Sequence, residues 1–124
     1  MDFTFSEDQR LFAGTLSDIL SADCPPEAVR ASWEDPDARV SGLWEALGGT
    51  GVLGMTAPES HEGLGMDEVD LVLLLEELGR AACPEPVAEH VAVALPLLRD
   101  HGSAALRDTW LGRAATGDVV LTAG

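Results

Sequence analysis

Catalysis or binding needs nucleophiles, acids, bases or ligands at workable spacing, and this sequence offers few such sets. Glu76 and Glu77 are adjacent carboxylates, the raw material of an acid–base pair. Neighbouring helical positions point about 100° apart, so the two do not face each other and read as a solvated or interface edge. His61, His90 and His101 share no metal-like spacing, and His101 reads as a cation at a helix C-terminus. Ser60-His61-Glu62 holds the three residue types of a hydrolase triad, but consecutive loop residues do not form one and no nucleophile elbow surrounds the Ser. Gly63-Leu64-Gly65 is too short for a phosphate cradle and follows no strand, so it reads as a turn before a helix. Cys24 and Cys83 lack CxxC spacing and a nearby His in ligand register; they read as reduced packing thiols of a cytosolic chain. No catalytic residue, cofactor-binding residue or metal ligand emerges from these sets.

The composition narrows the remaining classes. A chain of 124 residues suits one domain, and 46% apolar residues are enough to fold it. Only 5% are aromatic and none is Tyr, so Leu, Val and Ala must build the core. The net charge is −15, and all seven basic residues are Arg. Such a surface repels phosphate backbones and anionic lipid, which argues against nucleic acid and against membrane binding. No basic n-region followed by an apolar h-region opens the chain, and its apolar runs are too short to span a bilayer. A cytoplasmic location is the expectation.

These residues must be positioned by helices. Ser6-Glu7-Asp8-Gln9 has capping-box spacing, and Leu11, Phe12, Leu16, Ile19 and Leu20 follow at helical period, predicting a first helix to about Ser21. Pro26 suits the first turn of a short second helix through Val29 to Trp33. Asp35-Pro36-Asp37 reads as a turn, and Val40, Leu43, Trp44 and Leu47 make a third helix that ends at Gly48-Gly49. A fourth helix begins near Asp67 with acids in its first turn, then runs apolar on nearly every side from Val69 to Leu78. Such a helix must be central, or covered by another domain or subunit. A fifth spans Val87 to about His101, with Pro96 expected to kink or split it. A sixth spans about Ser103 to Ala115. Val119 to Ala123 turns strand-like, and one strand without a partner points to a β domain further along. The expected fold is all-α, an orthogonal or up-down bundle of about six helices over residues 1–117, with residues 118–124 as the first strand of a β domain.

The ordered pattern resembles a family. Asp2-Phe-Thr-Phe-Ser-Glu-Asp-Gln9, then Leu43-Trp-Glu-Ala-Leu47 with Gly51-Val-Leu-Gly54, then Ala57-Pro-Glu59 with Gly63-Leu-Gly65, then Glu76-Glu-Leu-Gly-Arg80, follow the order and spacing of acyl-CoA dehydrogenases and cover nearly the whole chain. One departure is that the family's loop commonly carries adjacent glycines where this chain has Glu62-Gly63. Pro86-Val-Ala-Glu-His90 looks most like bacterial members with small or variant subunits.

The resemblance implies a three-part enzyme with a helical N-terminal domain, a β domain and a C-terminal helical bundle. FAD is implied between the last two, held by the parent enzyme mainly through segments outside this chain. The implied reaction removes a proton at Cα of an acyl-CoA and passes a hydride from Cβ to the flavin. Its base is usually a Glu of the C-terminal domain, beyond these residues. By the same resemblance the fifth helix helps wall the acyl pocket, with Ala88, Val91, Ala92 and Leu95 as the substrate-binding candidates; ordinary core packing is the competing reading of those four. Implied partners are the acyl-CoA, the remaining domains and sister subunits, in a dimer or tetramer.

Two other classes compete. Leu64 to Leu71 resembles an acyl carrier's second helix, but the position after Asp67 is Glu68 where a carrier needs the Ser that bears its phosphopantetheine. A free-standing acidic helical interaction module, or a non-catalytic partner subunit, also fits the charge and the apolar fourth helix.

Overall fold

The computed structural model describes residues 1–124. Six helices carry the fold: α1 (Glu7–Asp23), α2 (Pro26–Ser32), α3 (Leu43–Gly48), α4 (Val72–Arg80), α5 (Leu95–His101) and α6 (Ala104–Ala115). Short 3₁₀ turns sit at Val52–Gly54, Glu59–His61 and Glu68–Leu71.

Local chemistry explains most boundaries. Both halves of the α1 capping box form: Ser6 Oγ accepts from Gln9 N–H at 3.1 Å, and the Ser6 N–H donates to Gln9 Oε1 at 2.8 Å. The same Gln9 side chain donates to Asp70 Oδ1 at 2.7 Å, tying the start of α1 to the turn that opens α4. Asp67 and Asp70 form a second capping box there. Pro26 occupies the first turn of α2, where its missing N–H costs nothing. Ser103 caps α6 by accepting from Leu106 N–H.

The core has two parts. The larger gathers Leu16 and Leu20 of α1, Leu43 and Leu47 of α3, Leu74 and Leu78 of α4, and Val87 and Val91. The smaller joins Leu95 to Ala57 and to Leu111, Ala114 and Ala115 of α6. The helix expected to be buried all round buries one face only. Leu71, Leu74 and Leu78 are enclosed, while Val72 and the preceding Val69 are exposed, as is Leu11 of α1. Beside the larger core, buried Glu85 accepts from Arg39 Nε at 2.7 Å and from Val40 N–H at 3.0 Å, which satisfies a carboxylate that would otherwise be costly to enclose. No helix is long and apolar enough to cross a membrane.

Pro96 neither breaks nor splits its segment. A π-helical turn, Glu89–Ala94, precedes it and runs directly into α5, and the Leu95 N–H reaches back five residues to His90 O. Residues 119–124 carry no regular structure. The strand expected at 118–124 has no partner strand within the chain, and a ladder needs one.

Candidate functional site

An open apolar groove of ≈800 Å³ lies between α5, α6 and the arm formed by residues 119–124. Its floor and one wall are Ala94, Leu97, Leu98, His101 and Gly102, with Trp110 from α6. The arm itself supplies the opposite wall.

Besides the packing of Val119 and Leu121 on the smaller core, three features set the arm against the bundle. Trp44 Nε1–H donates to Gly117 O at 2.8 Å. Gly117 has φ +82°, and a Cβ there would come within 2.8 Å of Leu53 Cδ1, so the turn out of α6 requires glycine. The third is His90, fully buried in the π-turn. Its Nε2 lies 3.0 Å from Ala114 O, its Nδ1 accepts from Leu121 N–H at 3.0 Å, and its ring meets Trp44 edge-on with centroids 5.2 Å apart. Burial lowers the His90 pKa, opposed more weakly by the Ala114 and Leu53 backbone.

The four substrate-binding candidates divide into two fully buried and two half-buried positions. Val91 belongs to the larger core and Leu95 to the smaller, both fully buried. Ala92 is half-buried against the larger core, and Ala88 edges a separate cleft of ≈430 Å³ with Leu75, Leu78 and Pro86. None of the four lines the groove. Helical geometry is the reason: the groove takes positions 94, 97, 98 and 101, and the four candidates lie on neighbouring faces.

The other candidates resolve in the same way. Glu76 and Glu77 both pair with Arg80, at 3.1 and 3.4 Å. Ser60 Oγ lies 2.9 Å from His61 Nδ1, and the third member of a triad-like row comes from α6, where Asp108 meets His61 Nε2 at 3.1 Å. Asp108 is 76% exposed and Ser60 is exposed too, so the row lacks the dry, preorganised surroundings that nucleophilic catalysis needs. Cys83, half-buried beside Cys24, has its pKa pushed up to about 12, mainly by burial. Both thiols are free. No group of three or more His, Cys, Asp or Glu is arranged to hold a metal.

Comparison with known proteins decides the family. The model of the acyl-CoA dehydrogenase N-terminal domain matches residues 6–118. This chain belongs to the acyl-CoA dehydrogenase N-terminal domain family. It is 34% identical over 122 residues to acyl-CoA dehydrogenase FadE27 of Mycobacterium tuberculosis, a match covering 98% of this chain and 33% of that protein. The crystal structure of the ChsE4-ChsE5 complex from Mycobacterium tuberculosis superposes with a TM-score of 0.89 at 34% identity, over 98% of this chain and 34% of that one. An acyl-CoA dehydrogenase complexed with FAD from Bacillus anthracis superposes with a TM-score of 0.80 at 26% identity, over 94% of this chain and 20% of that one. The chain thus spans about one third or less of the length of these relatives.

The groove does not suit a dinucleotide. Eight of its twelve residues are hydrophobic and His101 is its single titratable side chain, so nothing there would neutralise a pyrophosphate. Four of the seven Arg residues are already committed to carboxylates: Arg39, Arg80, Arg99 and Arg113. The Arg99 guanidinium, bonded first to Asp100 and then to Glu68, is held more firmly charged than a free Arg.

Proposed function

We propose that this chain is the N-terminal helical domain of a longer FAD-dependent acyl-CoA dehydrogenase that oxidises the Cα–Cβ bond of an acyl-CoA thioester. The observation that carries this reading is the match along 98% of the chain at a TM-score of 0.89 to one third of a longer relative. The flavin and the base would belong to segments outside these residues; for the flavin, the apolar lining of the groove supports this. The flavin would accept the hydride from Cβ. The domain's own contribution is packing: an apolar groove beside the arm, and the half-buried face of Ala88 and Ala92, backed from the core by Val91 and Leu95, as wall for the acyl chain.

The exposed apolar residues Val69, Val72 and Leu11 would be covered by the remaining domains or by sister subunits of a dimer or tetramer. A cytoplasmic location accords with two free thiols. The test is acyl-CoA-dependent reduction of an electron-accepting dye by the protein purified from its source. Turnover with thioesters, and a raised KM for longer chains in Ala88→Leu or Ala92→Leu, are expected. Absence of dye reduction across short, long and branched thioesters would refute the reading.

A further inference from the structure

His90 is enclosed on every side, and both of its ring nitrogens meet backbone. The Ala114 carbonyl can only accept, so Nε2 carries the proton. The Leu121 N–H can only donate, so Nδ1 keeps its lone pair. The two backbone groups therefore select one neutral tautomer. A doubly protonated ring would set N–H against N–H at Leu121. No other hydrogen bond within the chain reaches residues 120–124. Residues 119–124 supply six of the twelve residues that line the groove.

We infer that His90 is the positioning residue of the groove: its Nδ1 lone pair fixes the 120–124 arm as one wall, over the packing of Leu121 on the smaller core, and the wall loosens when that nitrogen is protonated. The residue acts on the groove through the arm, since it does not line the groove itself. Charged groups on the packed elements are Glu89 on its own turn, Glu45 on α3, Arg39 stacked on Trp44, Arg107, Asp108 and Arg113 on α6, and Asp118 just after it, which pairs with Arg113 at 2.8 Å. None of them tunes the ring, whose acidity follows from burial first and the Ala114 and Leu53 backbone next. The inference goes beyond the dehydrogenase reading and does not depend on flavin or thioester chemistry.

The experiment is nuclear magnetic resonance on the ¹⁵N-labelled full chain. A through-hydrogen-bond coupling between the Leu121 amide nitrogen and His90 Nδ1 is expected at neutral pH. The Leu121 amide should exchange with solvent at least ~10-fold more slowly than those of Val120 and Thr122. Acidification should abolish the coupling in step with the titration of the His90 ring itself, a response that a merely space-filling His would not give. His90→Phe removes the acceptor. Leu121→Pro removes the donor while leaving the buried imidazole intact, and so serves if the first variant does not fold. In Leu121→Pro, ¹⁵N relaxation should show residues 120, 122 and 123 more mobile than in wild type while the amides of α1 and α4 keep their protection. A folded wild-type chain without the coupling, or an arm as well ordered in Leu121→Pro as before, would overturn the inference.

Discussion

The hydroxyl of Thr56 donates to the carbonyl of Val91 at 2.7 Å, taking the place of an N–H that Pro96 does not have. In the π-turn the Leu95 N–H bonds back to His90 O, so the next donor in register would be that of residue 96. Proline has none. Thr56, fully buried, completes the ladder from outside the helix.

Removing that hydroxyl should leave a buried acceptor unpaired. Thr56→Val is expected to destabilise the chain by about 1–3 kcal/mol, with Thr56→Ser close to wild type. Pro96→Ala returns an N–H, so the Thr56→Val penalty should shrink in the Pro96→Ala background. A double-mutant cycle by urea unfolding reads the coupling. Additive losses would show that the two residues act independently.

His90 makes stability depend on pH, and the sign follows from its environment. Its pKa in the folded state is lowered from 6.5 by burial. The unfolded chain therefore binds the proton more readily, and acid favours unfolding. The contribution is complete above the unfolded value and is lost as the pH falls from there toward the lowered folded value. The slope cannot exceed about 1.4 kcal/mol per pH unit for one proton. Urea midpoints of wild type and His90→Phe across this window should diverge in wild type's disfavour as the pH drops. Parallel curves would refute the assignment.

Glu62 and Gly63 make opposite demands in one loop. Glu62 has φ +64°, a left-handed conformation that a non-glycine residue resists. Glu62→Gly is expected to leave stability unchanged or raise it by up to about 1 kcal/mol, and Glu62→Val to lower it. At Gly63 a Cβ would fall 2.0 Å from Ala57 O, a backbone atom that cannot step aside. Gly63→Ala should cost about 1–3 kcal/mol or more through forced backbone movement. Thermal unfolding of the three variants orders them, and equal tolerance of Ala at 63 would contradict the packing described.

The helices were legible where the signal was local. Ser6 and Gln9 announce the start of α1 by their spacing, and both capping bonds form. The Val87-to-His101 segment reads as helix, but its π-turn does not. That turn depends on Thr56, 35 residues from Val91 along the chain, and no window of sequence holds both. His90 was readable in part: three residues after Val87 and four before Ala94, it lies on the same buried stripe. Its hydrogen-bond partners at Ala114 and Leu121 are tertiary and leave no local trace. The groove was hidden for a similar reason, since half its lining comes from an arm whose strand-like sequence has no partner strand within the chain.

The most direct test of the account is the intact mass of the protein isolated from its source with an antibody to this chain. Because the chain spans 33% of FadE27, the account predicts a polypeptide roughly three times its 13.0 kDa. A polypeptide of 13.0 kDa would contradict it and would favour a free-standing helical module or a non-catalytic partner subunit.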